Sequence, residues 1–427
     1  MTKKLSVNYG TSDPVDFSKL IALEPVQKQI ERAKNADDYT DSYAFVYIPF
    51  DVNYHKEIIQ LADKKKLLCC SICVVVGIGG SCLGTQAVHL AINGTYWNEL
   101  HNPKIYWADT LDSQESFALI QILERCLKVG ERVLLVVISK SGTTLETLVQ
   151  FAVFRDLIQR YYPKNYREFI VIITDKNSNL ADYARDNNCD LLTIPEPIGG
   201  RYSVFTAVGS FVLAYLGGDI EQFQCGARAA LKDSLSMSVE INNAARSALF
   251  LYGEYQRGNS IADYFVFPKM FFGIGMWYRQ LLGESLGKQA RDGAFCHLVP
   301  TVSVGSNDLH AVAQLYLGGN PPIVTQFLTC QKYLSDVVVS SASADLVNAT
   351  SYSVLMHVLF QATRNAYDEQ KRPYLHIELP ECSWYYIGYL VQFHMIQTVY
   401  LATFFDVDPF DQPHVELYKK HVRNLVA

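Results

Sequence analysis

VVVGIGGSCLGTQAVHLAI, residues 74–92, sets four glycines into the eleven positions from Val74 to Gly84, directly after a run of valines. Valines followed by glycines and then a helix-like run read as a buried strand turning sharply into a helix. Glycine beside a strand weakens it by entropy, so Gly77, Gly79, Gly80 and Gly84 need a compensating reason. Two are available. The turn is tight and nothing more, or the backbone N–H groups must come close to a ligand at the positive end of the following helix. A dinucleotide fingerprint is excluded, because the G-x-G-x-x-G spacing would need glycine where Cys82 stands.

Working outward, the same alternation recurs. Apolar strands are predicted at 71–77, 104–108, 133–138, 169–174 and 191–194, with helices at 82–92, 113–126, 143–160 and 178–187. Residues 203–256 read as helical. The alternation then restarts with strands at 261–267, 298–304, 322–328 and 374–378, and helices at 271–282, from 307, at 342–369, 382–404 and 412–425. Strand–helix–strand at this spacing predicts an α/β fold of two consecutive doubly wound parallel sheets, joined by helices. Residues 1–40 are polar with two short apolar stretches and read as an N-terminal arm or helix.

The bulk composition narrows the function. A chain of 427 residues with 49% hydrophobic and 19% charged residues is globular and long enough for two cores. A net charge of −6 without any Lys/Arg stripe argues against a nucleic-acid partner. No long uncharged apolar run suggests a membrane span, and MTKKLSVNYG lacks the apolar stretch of a secretion signal. The ten cysteines follow no metal spacing and read as reduced buried thiols. A soluble, cytoplasmic protein is expected.

Ligands of open parallel sheets bind outside the carboxyl ends of the strands, which selects the loops to read. SKSGTTLET (139–147) sets Ser139, Ser141, Thr143 and Thr144 between a strand and a helix. Hydroxyls and free N–H groups at a helix start form a cup for a dianion such as a phosphate ester, and Lys140 adds positive potential. The competing reading is a capping box from Thr143 to Glu146, although a cap needs one hydroxyl and four are present. In GGRYSVFTAVG (199–209), Arg201 lines a backbone-walled pocket or is a solvated turn residue. GESLGKQ (283–289) carries Glu284, SNDLHAVAQ (306–314) carries His310, and DQPHVELYKK (411–420) carries Gln412 and Lys419. Alone, each has a bland alternative: a solvated carboxylate, a partly buried histidine, and a lysine complementing a helix end.

Taken together and in order, GIGGSCLG, SKSGTTLET, GGRYSVFTAVG, GESLGKQ, SNDLHAVAQL and DQPHVELYK resemble the motifs of the glucose-6-phosphate isomerase (phosphoglucose isomerase) family. The six collinear matches span residues 77–419. The resemblance implies two sugar-isomerase (SIS) domains, 41–225 with the phosphate loop and 226–405. It leaves 1–40 as an arm and 406–427 as a C-terminal helical segment carrying Lys419.

It also implies roles. Gly80 and Ser81 line the sugar side, Ser139, Lys140 through its backbone, Ser141 and Thr144 hold the 6-phosphate, and Arg201, after Gly200, stabilises negative charge. Glu284 is the base, with Gln280 one helical turn before it. His310 and Lys419 open the ring, Glu146 orients His310, and Gln412 contacts substrate. A homodimer is implied in which one subunit lends His310 to the other's site. In this chain Pro413, His414 and Tyr418 replace the family's Trp, Gly and Gly around the last motif, and Leu145 replaces a polar residue. None of these removes an ionisable group.

The chemistry agrees with the roles. Moving a carbonyl between adjacent sugar carbons needs a base and fixed positive groups for the developing oxyanion, and no redox cofactor or metal. Gripping a remote phosphate holds the reacting carbons at the base. Three other functions compete. One is an isomerase that also accepts mannose 6-phosphate. Another is a non-catalytic sugar-phosphate sensor, which would have no use for Glu284, His310 and Lys419 together. A nicotinamide-dependent dehydrogenase lacks the glycine fingerprint.

Overall fold

The computed structural model describes residues 4–10, 16–238, 240–339 and 351–426. The chain opens with β1 (Ser6–Gly10), α1 (Glu24–Asn35) and α2 (Val52–Lys66). The first alternation follows as β2 (Ile72–Val76), α3 (Leu83–Asn93), α4 (Trp97–Leu100), β3 (Lys104–Ala108), α5 (Ser113–Lys128) and β4 (Val133–Ser139). It ends with α6 (Leu145–Tyr161), β5 (Ile170–Thr174), α7 (Asn179–Asp186) and β6 (Asp190–Thr193). Helices α8 (Ala207–Tyr215), α9 (Ile220–Ser234) and α10 (Asn243–Gln256) connect to the second alternation. That consists of β7 (Ile261–Val266), α11 (Phe272–Leu286), β8 (Val299–Val304), α12 (Ala313–Gly318), β9 (Ile323–Cys330), α13 (Tyr352–Glu369) and β10 (Tyr374–Leu379). The chain closes with α14 (Trp384–Phe404) and α15 (Pro413–Val426).

The first sheet has the order β3-β2-β4-β5-β6, and every pairing is parallel. Strands β2, β4 and β5 are buried along their whole length, which explains why they read as unbroken apolar runs and not as alternations. From β2 the chain passes to β3 on one side and then to β4 on the other. The crevice of this switch point therefore opens between the carboxyl ends of β2 and β4, where the glycine loop and the hydroxyl loop begin.

The second sheet has the order β1-β10-β9-β7-β8, parallel except for β1, which lies antiparallel on β10 with Ser6 opposite Glu378. This edge strand departs from the sequence reading of residues 1–40 as an arm or helix. SVNYG has one fully buried residue, Val7, so it carries no apolar signal of its own; it is held by hydrogen bonds to β10. The helix read from residue 307 is instead a 3-10 turn, Asn307–His310, followed by the short α12. The helix read at 342–369 is described from Tyr352, and 342–350 lie outside the described residues.

Small residues set how the two units meet. A Cβ on Gly273 of α11 would stand 3.0 Å from the Cα of Ala87 on α3, so these helices cross nearly backbone to backbone. Gly226 of α9 and Gly388 of α14 do the same, each lacking room for a Cβ, which would fall 1.8 Å from a carbonyl oxygen of the other helix. Helix α14 is buried on all sides, consistent with its apolar sequence all round. Among the described residues no helix is long and apolar enough to cross a membrane.

Candidate active site

The glycine cluster is explained first by packing. A Cβ on Gly80 would lie 2.3 Å from the carbonyl carbon of Gly200, so loops 77–81 and 199–201 touch through bare backbone. Gly79 adopts φ +56°, a left-handed conformation that glycine takes without strain, and a Cβ there would stand 3.0 Å from Nε2 of Gln280. The glycines thus let three segments converge at the first sheet's switch point: the loop after β2, the loop around Arg201, and α11 of the second unit. Ser81 is half-buried within this junction.

The hydroxyl loop is not spent on capping. Helix α6 starts at Leu145, and its cap residue, Thr144, makes no side-chain hydrogen bond to the helix. The capping-box alternative from Thr143 to Glu146 is therefore not realised. Thr143 instead donates its hydroxyl to Ser141 Oγ at 3.1 Å, and Ser139 donates to Thr144 Oγ1 at 3.0 Å. The first-turn N–H groups of α6, like those of any helix start, lack intrahelical partners. Thr174, which donates to the Ser139 carbonyl oxygen at 2.6 Å and shares a 2.7 Å hydrogen bond with Ser178, braces the loop from below. These two braces carry no motif in the sequence. Burial holds the Lys140 ammonium below its usual pKa, while Asp175 and Glu196 pull it back up.

Arg201 is the hub. Its side chain is 2% exposed, so the solvated-turn alternative fails. Nε donates to Ser285 Oγ at 2.9 Å, Nη1 to Glu284 Oε2 at 3.3 Å and to Gln412 Oε1 at 3.1 Å, and Nη2 to the carbonyl oxygens of Pro409 at 2.5 Å and Asp411 at 3.1 Å. Gln280, one turn back on α11, donates to Glu284 Oε1 at 2.9 Å. Glu284 is held at both oxygens, yet it remains 31% exposed. Ser285, which also shares a 3.1 Å hydrogen bond with the Tyr202 hydroxyl, fixes the guanidinium plane; only its place next to Glu284 would have marked it in the sequence.

Lys419 falls in the middle of α15, half-buried, and not at its end, so the dipole alternative does not describe it. Its neighbour Tyr418 donates to Glu146 Oε1 at 3.4 Å, which lays α15 against the first turn of α6 beside the hydroxyl loop. His310 is elsewhere. It is exposed at the end of the 3-10 turn that follows the carboxyl end of β8. Glu284 lies in the last turn of α11, where a Cβ on the neighbouring Gly283 would stand 3.7 Å from Pro300, near the start of β8. The two residues therefore lie toward opposite ends of β8, Glu284 by its start and His310 beyond its end.

Comparison with known proteins agrees with this architecture. A family model of phosphoglucose isomerase matches residues 66–426, and the chain belongs to that family. The glucose-6-phosphate isomerase of Clostridium novyi is 32% identical over 443 aligned positions, covering 100% of this chain and 96% of the relative. That of Fusobacterium nucleatum is 31% identical, covering 89% of this chain and 86% of its own. Among solved structures, a hypothetical protein from Thermus thermophilus superposes with a TM-score of 0.87 at 26% identity, covering 99% of this chain and 100% of that one. A glucose-6-phosphate isomerase from Chlamydia trachomatis shares the fold, with a TM-score of 0.83 at 22% identity over 99% of this chain and 88% of its own.

Proposed function

We propose that this chain interconverts glucose 6-phosphate and fructose 6-phosphate, an aldose–ketose isomerisation through ring opening and a cis-enediol(ate), as a step of glycolysis and gluconeogenesis. The observation that carries the mechanism is the pairing of Glu284 Oε2 with Arg201 Nη1 at 3.3 Å, with the Glu284 side chain still partly exposed. A carboxylate that shuttles a proton between C1 and C2 needs a fixed cation for the charge on the adjacent oxygen, and Arg201 is desolvated and immobile enough to supply it. Gln280 keeps the second carboxylate oxygen aimed.

Ser139, Ser141 and Thr144, with the Lys140 backbone, grip the 6-phosphate at the start of α6. The Gly80–Ser81 and Gly200 backbones wall the sugar, and Gln412 faces it from the C-terminal segment. Lys419 and His310 exchange protons at the ring oxygen and O1 to open the ring. The separation of His310 from Glu284 within one chain supports a homodimer in which His310 of the partner subunit completes each site, with Glu146 orienting it. The protein acts on a small sugar phosphate in the cytoplasm.

A coupled assay of fructose 6-phosphate conversion by the pure protein, run beside mannose 6-phosphate and repeated with a chelator, tests this function. Turnover of fructose 6-phosphate that withstands the chelator is expected; no turnover of it, or turnover abolished by the chelator, would overturn the proposed chemistry.

A further inference from the structure

Lys288 has no part in the scheme above, yet it is one of the most buried cations in the protein, its side chain only 7% exposed. It follows α11 by two residues, and its backbone is fixed: its N–H donates to the Leu286 carbonyl oxygen at 2.7 Å, and its own carbonyl oxygen accepts from Cys296 N–H at 2.9 Å. The ammonium is spent on one short segment. It donates to the carbonyl oxygens of Asp408 and Asp411, the latter at 2.7 Å, and to the Asp411 carboxylate. Arg201 takes the Pro409 carbonyl oxygen and the Gln412 side chain of the same segment and shares the Asp411 carbonyl oxygen with Lys288.

Two buried cations thus clasp residues 408–412 from the side that carries Glu284. Carbonyls that bend inward to a pair of cations are held far more firmly than a solvated loop. Charge is also balanced locally. Asp411 faces Lys288 and Glu284 faces Arg201, so Arg201 is not drawn away from the base by an unpaired carboxylate. Immediately beyond the clasp starts α15, with Lys419 on it and Tyr418 reaching Glu146.

We infer that Lys288 is a positioning residue: it pins residues 408–412 to the end of α11 and so sets where Gln412 and Lys419 stand over the sugar. The inference rests on the isomerase reading for its kinetic consequence, and on the contacts alone for its structural one.

The test compares Lys288→Met, Lys419→Met and the double variant, in full-length protein, by steady-state kinetics with fructose 6-phosphate and by amide hydrogen exchange. Lys288→Met is expected to lower kcat roughly 10- to 100-fold, the scale of lost charge-assisted hydrogen bonds. KM should move less than about 3-fold, and in the Lys419→Met background the further loss in kcat should be less than about 3-fold. Exchange should rise across 407–426 and not across 272–286. Unchanged exchange at 407–426, or kinetic losses that multiply in full, would overturn the inference. If Lys288→Met fails to fold, Asp411→Asn removes the exposed partner and should raise the same exchange more weakly; no rise there overturns it as well. A wild-type protein without isomerase activity would defeat the function proposed above, while the exchange result would still decide the role of Lys288.

Discussion

The first sheet meets the cleft with its carboxyl edge, through the loops that leave β2 and β4 at the switch point; the second sheet meets it with its amino edge, through the last turn of α11. On the proposed reading, the first contributes backbone N–H groups and hydroxyls at helix starts, which suit an anion. The second contributes a helix end that presents Glu284 and Lys288, which suit the proposed proton transfer and anchoring. The two sheets share a strand order apart from the antiparallel β1, and the proposed site lies where their unlike edges face. The rule that ligands sit at the carboxyl ends of parallel strands therefore finds the binding half of this site and is silent on the chemical half. It also points to His310, which lies at the second sheet's carboxyl edge and thus on the far side from its own Glu284.

If the amino edge of the second sheet carries the chemistry, Glu284→Gln should lower kcat by at least ~10³-fold while a sugar phosphate still binds by calorimetry. Retained turnover would break the division of labour between the sheets. Next in size is the test of His310. Glu284→Gln and His310→Ala proteins, each nearly inactive, should regain activity when unfolded together and refolded, because random pairing restores about a quarter of the sites if the histidine is donated across a two-fold interface. No recovery would mean that His310 acts within its own chain or not at all.

On the first sheet, Ser141→Ala or Thr144→Ala should raise KM for fructose 6-phosphate by roughly 10-fold, the scale of one hydrogen bond to a charged group, with a smaller effect on kcat. A fall in kcat at constant KM would assign the loop to chemistry and erase the contrast. Gly388→Ala tests the close packing of α14 on α9. With a carbonyl oxygen of α9 1.8 Å from the added carbon, it should cost about 1–3 kcal/mol in denaturant unfolding. The smallest effect is expected from Tyr418→Phe. Its 3.4 Å hydrogen bond to Glu146 is exposed, so kcat/KM should change by less than about 3-fold.

Most of the first sheet was legible because its strands are buried on both faces and its turns are marked by glycine and hydroxyl residues; β2 to β6 fall within about two residues of the sequence reading. The edge strand β1 was not, since a five-residue strand with one buried side chain has no apolar pattern to read. Within the site, Arg201, Glu284, Gln280 and Gln412 come together: Arg201, Glu284 and Gln412 sit at loops or a helix end that the sequence punctuates clearly, and Gln280 lies one helical turn before Glu284. Ser285, Thr174 and Lys288 escaped, because their importance lies in which distant carbonyl or guanidinium they reach, and no local spacing encodes a partner that far along the chain. Tyr418 was visible only as an odd residue beside Lys419, and its contact with Glu146 accounts for the bulk.

The antiparallel pairing of Ser6 with Glu378 has a consequence for biosynthesis. The first sheet is contiguous, so a nascent chain can assemble it soon after residue 193 leaves the ribosome. The second cannot seal its β10 margin until residues 6–10, made before every other described strand, pair with the last of them. Until then, that margin offers unpaired amides to any extended peptide nearby. Substitutions that weaken the pairing of residues 6–10 with β10 should accordingly slow maturation and favour clumping.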